Sequence, residues 1–385
     1  MSTLKVGAIR GVSSSSDAIT VANDGSCTAN LTNRTNKNLI INGAYTVNQR
    51  GVTGHGSSGY RTVDRWQMSA GGLNNAMHQY QVDITAGDLP YTKGFRKMYR
   101  LTNDGQNADT NDYIQAVQHI EAQNIATSGW NYVSSSSNIT LSFYVKASVS
   151  QTYHGYLQTH DGTSKTNSFS FALTANTWTK VTKTFPGDST ITINNDNGVG
   201  FTVHFTPYMG TDYTASSVTD GAWQTYASGA RTTDQTSTWM TTAYSTFELT
   251  GVQLEVGSVA TDFEHRSYAQ ELALCQRYYQ AVVDGGTYRM ISFGSIYAAS
   301  EVHGEIKHFV PMRANSTLIS PTGSNTLALQ RAGGFVSWNN GLTRNGGDVY
   351  HTYFTRDGVT MGTAGDIGRI LTWTAGGNVA LDAEL

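Results

Sequence analysis

The chain predicts a mainly β fold: an antiparallel jelly roll or β-sandwich, one short linking α-helix, and a smaller C-terminal β-domain. Three observations predict it. Short segments alternate apolar and polar residues with period two, the signature of half-buried strands. Clusters of Gly, Asn, Asp and Ser separate them, with little helical pattern between. Charged residues make up only 14% of the 385, and Thr, Tyr and Val fill many of the remaining positions, a composition that suits pleated surfaces.

The chain divides into four segments: residues 1–37, 38–264, 265–284 and 285–385. The first is a polar preamble. LKVGAI and AITVA are short β-like pieces split by Ser13 to Ser16, and Asn23-Asp24-Gly25 is a turn signal. Pieces this short bury no core alone, so the preamble needs copies of itself or another protein.

The jelly roll begins at Asn38. In NLIINGAYTVNQRG, Leu39 alternates with Ile41 and Tyr45 with Val47; a glycine-rich loop and YRTVDRWQM come next. YIQAVQHIE (113–121) alternates again. ITLSFYVKA (139–147) is the cleanest strand, with Ile139, Leu141, Phe143 and Val145 inward. SFSFALT (168–174) and VGFTVHFTPY (199–208) repeat the rule through Phe169, Phe171, Leu173 and Val199, Phe201, Val203, Phe205. In FELTGVQLEV, Phe247 and Leu249 hold one parity while Val252, Leu254 and Val256 hold the other. A bulge at Gly251 reconciles them, because a slipped register would turn every side chain over.

The period then changes. Tyr268, Leu272, Cys275, Tyr279 and Val282 recur at four, three, four and three, which predicts one helix over about residues 267–283. Its stripe is too short for a free-standing coiled coil but would gain by burial against copies, so a homotrimer is expected. From Gly285 short β-like pieces resume, including TYRMISFGSIYA, VYHTYFTR and RILTWTA.

Bulk properties exclude several classes. A net charge of −3 offers no basic face to nucleic acid. No apolar run approaches a membrane span, so membrane insertion is not expected. The opening MSTLKVGAIRG has no apolar signal core, so export by the ordinary route is not expected either. Cys27 and Cys275 read as free thiols, Cys275 as a small core residue, with an intramolecular disulfide as the alternative.

NLIINGAYTVNQRG followed by Tyr60 and Asp64-Arg65-Trp66 resembles the opening of a domain of bacteriophage tail-fibre and other virion proteins. QHIE (118–121) and TLSFYVKA (140–147) resemble the carbohydrate-binding jelly rolls related to that domain. LTGVQLEVGSVATDFEHRSYAQELALCQRYY resembles a junction in phage structural proteins, where a β-domain with a segment like Phe309 to Ala314 usually comes after it. Where that family carries an acidic residue and a longer aliphatic or aromatic one, this chain has Ala44 and Tyr45. The resemblance implies a virion protein made in the host cytoplasm. A tail fibre or receptor-binding subunit would attach through residues 1–37 to tail or capsid proteins and meet host-surface polysaccharide. It also leaves open a capsid-decorating fibre, an adaptor that binds only virion proteins, or a glycan-cleaving spike. It carries over no catalytic residues.

A sugar presents a C–H face and a rim of hydroxyls, so its site wants an aromatic platform beside amides and carboxylates. The candidates in polar, loop-like surroundings are Trp130, Tyr132, Trp223, Tyr226, Trp239 and Trp338. Trp66 reads as structural, with Asp64 and Arg65 pinning a strand end. No cofactor is expected. No metal site is expected: there is no HExxH or CxxC, and His303 and His308 have opposite parity. The oxygen-rich turn from Asn103 to Asp109 lacks the spacing of an EF-hand. Catalysis is not expected. Glu301 and Glu305 share a strand face, but no acidic cluster lies amid aromatic crowding, and no GxSxG elbow appears.

Overall fold

The structure, a computed structural model, describes residues 6–10, 12, 17–21, 27–29, 36–74, 76–105 and 107–385. The turn at Asn23-Asp24-Gly25 and the stretch Ser13 to Ser16 lie outside the described residues, as do Gln106 and the side chain of Cys27. The fold is mainly β. Two six-stranded antiparallel sheets face each other as a sandwich. One orders its strands Trp223–Thr225, Lys165–Leu173, Gln151–Thr159, Val199–Met209, Tyr113–Glu121 and Gln67–Gly71. The other runs Thr179–Pro186, Asn138–Ala147, Ser245–Val256, Lys97–Asn103, Met77–Asp83 and Gly54–His55.

The alternating residues read from the sequence fill the space between the sheets. Phe143, Val145, Phe169, Phe171, Phe201, Val203 and Phe205 all join one buried cluster. Phe143 packs against Phe171 and Phe205 at 5.3 and 4.8 Å between ring centres, edge to face. Phe247 and Leu249 join the same cluster as Val252 and Leu254, although their parities differ. The pairing with Asn138–Ala147 shifts between Thr250 and Gln253, with Gly251 at φ 61°. This bulge turns the strand over once and lets both halves point inward.

The stretch 38–47 forms no ladder. Asn42 and Tyr45 take left-handed backbone conformations, φ 58° and 55°, which interrupt the alternation seen in the sequence. The segment docks through side chains instead. The Gln118 amide bonds both the N–H and the carbonyl of Ile41, each at 2.8 Å. Leu39 N–H donates to Leu254 O at 2.9 Å.

The predicted helix is half as long as its stripe. It spans Tyr268–Gln276, and Ser267 and Gln270 form a capping box. Tyr279–Val283 is a strand paired with Val379–Asp382. The run YQAVV satisfies period two as well as the helical period, and the partner strand decides between them. Part of the stripe is spent inside the chain: Cys275, with Leu272 beside it, packs against Ile41, Val47 and Tyr278, while Tyr268 stays exposed. That leaves Tyr268 as the exposed member of the helix's stripe, a weaker reason for the homotrimer than the full stripe would be.

Beyond the helix lie a three-stranded sheet and a seven-stranded antiparallel sheet. They share a second core, which includes Ile296, Val302, Leu329, Phe354 and Ile370. Near the N-terminus, Ala8–Arg10, Asp17–Val21 and Cys27–Ala29 form a small sheet, and Val6, Ile9, Val12 and Val21 of this region are exposed.

Candidate functional site

The face of the first sheet that points away from the core is polar. Alternation that sends Phe201, Val203 and Phe205 inward sends Thr202, His204 and Thr206 outward. Register then aligns side chains across strands. His119 is opposite Thr202, Thr202 opposite Gln158, Gln158 opposite Thr166, and Thr166 opposite Gln224. A second row sets Val117, His204, Tyr156 and Ser168 side by side.

The segment from Gly210 to Gln235 folds over half of this face. Ser168 donates to Asp220 at 2.6 Å, Gln235 donates to Thr206 at 3.1 Å, and Thr233 meets His154 at 3.2 Å. Under this cover Tyr156 stacks on His204 at 4.0 Å, and both reach the side-chain oxygen of Gln115. Burial pushes His204 well below the usual imidazole range. His204 Nε2, Thr166 Oγ1 and Arg231 Nε are buried without a hydrogen-bond partner. The Arg231 guanidinium lies 4.8 Å from the Tyr213 ring and 5.9 Å from those of Tyr113 and Tyr226, a cation–π cage.

The other half of the face is open. A relay runs across it: Gln67 meets His119 Nε2 at 2.8 Å, His119 Nδ1 meets Thr202 Oγ1 at 2.9 Å, and Thr202 meets His160 Nε2 at 2.7 Å. With the Gln67 amide donating, His119 is a neutral imidazole whose Nδ1–H donates to Thr202, and Thr202 donates onward. Burial, reinforced by the charge of Arg65, pushes His119 down to about 3. His160 is exposed, while Gln67, Gln158 and Gln224 are half-buried. The open half therefore presents amides and imidazoles on a rigid sheet, beside Tyr226 and Arg231, with the Thr202 hydroxyl buried beneath them. Such a set exchanges hydrogen bonds with a polyhydroxylated ligand.

At the Glu121 end of this face the chain's last residues lock on. Glu121 accepts from Arg277 at 2.7 and 2.8 Å and from the Tyr278 hydroxyl at 2.5 Å. Burial pushes its carboxyl up, but these bonds outweigh burial and hold it below its ordinary value. Arg65 pairs with Glu384, donates to His119 O at 2.6 Å and lies 3.5 Å from the Tyr278 ring centre. Arg50 pairs with Asp64 at 3.2 Å and with Glu384 at 3.4 Å. Burial raises Asp64 to about 6, against the pull of Arg50 and Gln49. Trp66 packs inward at 5.1 Å from Tyr45 and 6.2 Å from Phe205.

The six predicted aromatics do not converge. Trp130, Trp239 and Trp338 are buried, so their faces meet core rather than ligand. Trp130 Nε1 donates to Ser137 O at 3.2 Å and Trp239 Nε1 to Thr246 O at 3.0 Å, which satisfies their polar edges inside. Trp223 is half-buried; it donates to Pro186 O at 2.7 Å and packs 6.3 Å from Phe201. Tyr132 is half-buried 6.2 Å from Trp130. Tyr226 alone of the six belongs to the outer face. The polar rows on that face were readable as the complement of the Phe alternation in VGFTVHFTPY, but which sheet they line depends on pairing.

Among the described residues no three His, Cys, Asp or Glu side chains converge as metal ligands. Around the turn at 103–109, Asn103 donates to Met240 O at 2.6 Å and Asn74 to Asp109 at 2.6 Å.

No protein-family model matches the chain, and no curated protein matches its sequence. Solved structures resemble it in part. The tailspike protein 4 enzymatically active domain of bacteriophage CBA120 aligns over 57% of this chain and 21% of its own, with 11% identity and a TM-score of 0.31. A CBM4 module aligns over 56% of this chain and 98% of its own, with 14% identity and a TM-score of 0.28. The family 11 carbohydrate-binding module of Clostridium thermocellum, solved with a β-1,3-1,4-mixed-linked tetrasaccharide, aligns over 56% and 99%, with 11% identity and a TM-score of 0.26.

Proposed function

We propose that this chain is a phage virion protein, a tail-fibre or receptor-binding subunit that attaches to host-surface polysaccharide. One observation carries the binding half of the reading: the half-buried Gln67, His119, Gln158 and Gln224 and the exposed His160 line the outer face of a rigid sheet, with Thr202 and Thr166 of the same row buried beneath them. Neutral donors and acceptors at inter-strand spacing suit an extended chain of hydroxylated rings. The virion half is supported by the likeness of 38–66 and 247–279 to phage structural proteins. The exposed Val6, Ile9, Val12 and Val21 support attachment of the N-terminal sheet to virion proteins or to its own copies, as in a homotrimer. Repeated weak sites then add up through effective concentration.

Binding occurs without cleavage in this reading. Glu301 and Glu305 share the strand Glu301–Lys307, four residues apart. That separation is roughly 13 Å, wider than the ~5–9.5 Å that either glycosidase geometry uses.

Host capsule and lipopolysaccharide preparations immobilised on an array test the attachment reading. The full chain is expected to bind, and Gln158→Ala with Gln224→Ala to weaken binding at least tenfold. Absence of binding to any host polysaccharide overturns it in favour of a scaffold role. A reducing-end assay on the same material is expected to stay flat.

A further inference from the structure

We propose a second glycan-binding site on the seven-stranded C-terminal sheet, a cleft that takes a neutral, extended oligosaccharide. This assignment rests on the attachment reading above and gives it a separate location. The cleft has a volume of about 560 Å³ and is lined by Phe293, Ser295, His303, Glu305, Asn345 and Tyr353. Register builds it: Tyr353 is opposite Glu305, Gly304 opposite Gly294, and Phe293 opposite Arg369. Tyr353 and Phe293 therefore stand two strands apart, about 10 Å, with the Glu305 carboxylate between them.

Phe293 is 62% exposed and Tyr353 46%. Large rings held open to water on a flat sheet cost solvation unless something covers them, and they mark binding surfaces. Their spacing suits the C–H faces of alternate sugars in an extended chain, which stack on rings. Glu305 is half-exposed, with His351 Nε2 at 3.5 Å, and retains acceptor capacity for a sugar hydroxyl. Asn345 adds an amide at the rim. A second stack, Tyr297 on His303 at 4.7 Å, extends the aromatic surface along the strand. His303 is held by Glu301 at 2.7 Å. Glu301 and Glu305 share this face with Lys307 and Arg369, so it carries both signs and favours a neutral glycan over a polyanion or a polycation. The rings project from paired strands, so binding orders little backbone.

The test uses the full chain and calorimetric titration with cellohexaose, laminarihexaose, mannohexaose and the acidic control polygalacturonate. At least one neutral hexaose is expected to bind and polygalacturonate not to. Phe293→Ala and Tyr353→Ala are each expected to weaken binding at least tenfold, and Glu305→Gln several-fold, with unchanged thermal midpoints. Gln158→Ala is expected to leave this binding intact. The proposal is overturned if no neutral hexaose binds, or if the ring variants bind as the parent does. It is also overturned if those variants lower the oligomeric mass without touching binding, since copies of the chain would then cover the face. Persistent capsule binding in the ring variants, lost only in Gln158→Ala, sinks this site and leaves the attachment reading standing.

Discussion

The guanidinium of Arg65 is buried between the Tyr278 ring and the carboxylate of Glu384, 319 residues further along the chain. Burial opposes the charge on Arg65, and Glu384 together with Tyr278 and Tyr60 outweighs it. The same carboxylate reaches Arg50, which pairs in turn with Asp64. A single acidic residue next to the C-terminal Leu385 thereby ties the sandwich's Asp-Arg-Trp motif to the last strand of the chain. Tyr60 adds a hydroxyl bond to the Leu385 carbonyl at 3.2 Å.

Removing Glu384 leaves Arg65 buried without a carboxylate, and removing Arg65 leaves Glu384 to Arg50 alone. Arg65→Ala or Glu384→Ala is expected to cost about 3–5 kcal/mol each. The double variant is expected to cost less than the sum, because the orphaned charge disappears with its partner. Urea unfolding of the four proteins measures the coupling. Additive losses would show that the pair does not act as a unit.

Acid acts on the fold with two signs. His119 sits at about 3 when folded and at 6.5 when free, so the unfolded chain binds the extra proton. Its stabilising effect is present above about pH 6.5 and is lost as pH falls toward 3. His154, His160, His204 and His308 shift in the same direction. Asp64 does the reverse: raised to about 6, it contributes fully below its ordinary value of 3.8, and that contribution is lost as pH rises through 6. Histidines outnumber it, so thermal midpoints are expected to fall steadily below about pH 6.5. His119→Asn is expected to flatten that slope, and an unchanged slope would refute the assignment.

Gly251 holds the bulge on which the handover of the strand depends. At φ 61° a side chain is strained, and a Cβ there would stand 2.5 Å from the Phe95 ring. Gly251→Ala is expected to cost about 1–3 kcal/mol. Chemical denaturation checks this, and a neutral result would mean that the ring moves aside freely.

Trp239 and Tyr226 looked alike in sequence and differ in kind. Trp239→Ala empties a buried site and is expected to cost about 3–5 kcal/mol. Tyr226→Ala is expected to leave the unfolding midpoint near the parent's while weakening polysaccharide retention. Parallel thermal melts and affinity electrophoresis separate the two effects.

Cys275 is fully buried, and burial pushes its thiol well above its ordinary value. Ellman's reagent is expected to leave it unmodified in the folded protein and to react once denaturant is added. Rapid native labelling at Cys275 would mean that the helix Tyr268–Gln276 detaches readily.

Period-two alternation by itself determined the strands 113–121, 139–147, 168–174, 199–208 and 247–256 of the sandwich, because each side chain's face is set by the pleat; the same alternation at 38–47 formed no strand. Phe143, Phe169, Phe201 and Phe205 needed no partner to be assigned inward, and the parity break at Gly251 already required a bulge. The change of period at Tyr268 likewise located the start of the helix Tyr268–Gln276. Tertiary structure alone decided the rest. YQAVV fits a helix or a strand, and only pairing with Val379–Asp382 made it a strand. Trp130 and Trp239 sit among polar neighbours in sequence yet are buried, because their shells come from segments far along the chain. The polar row from His119 to Gln224 exists only through register between five strands, and the cover from Gly210 to Gln235 only through contacts with that face. Local pattern fixes which way a side chain points; what it points at is set by long-range pairing, which no local stretch of sequence encodes.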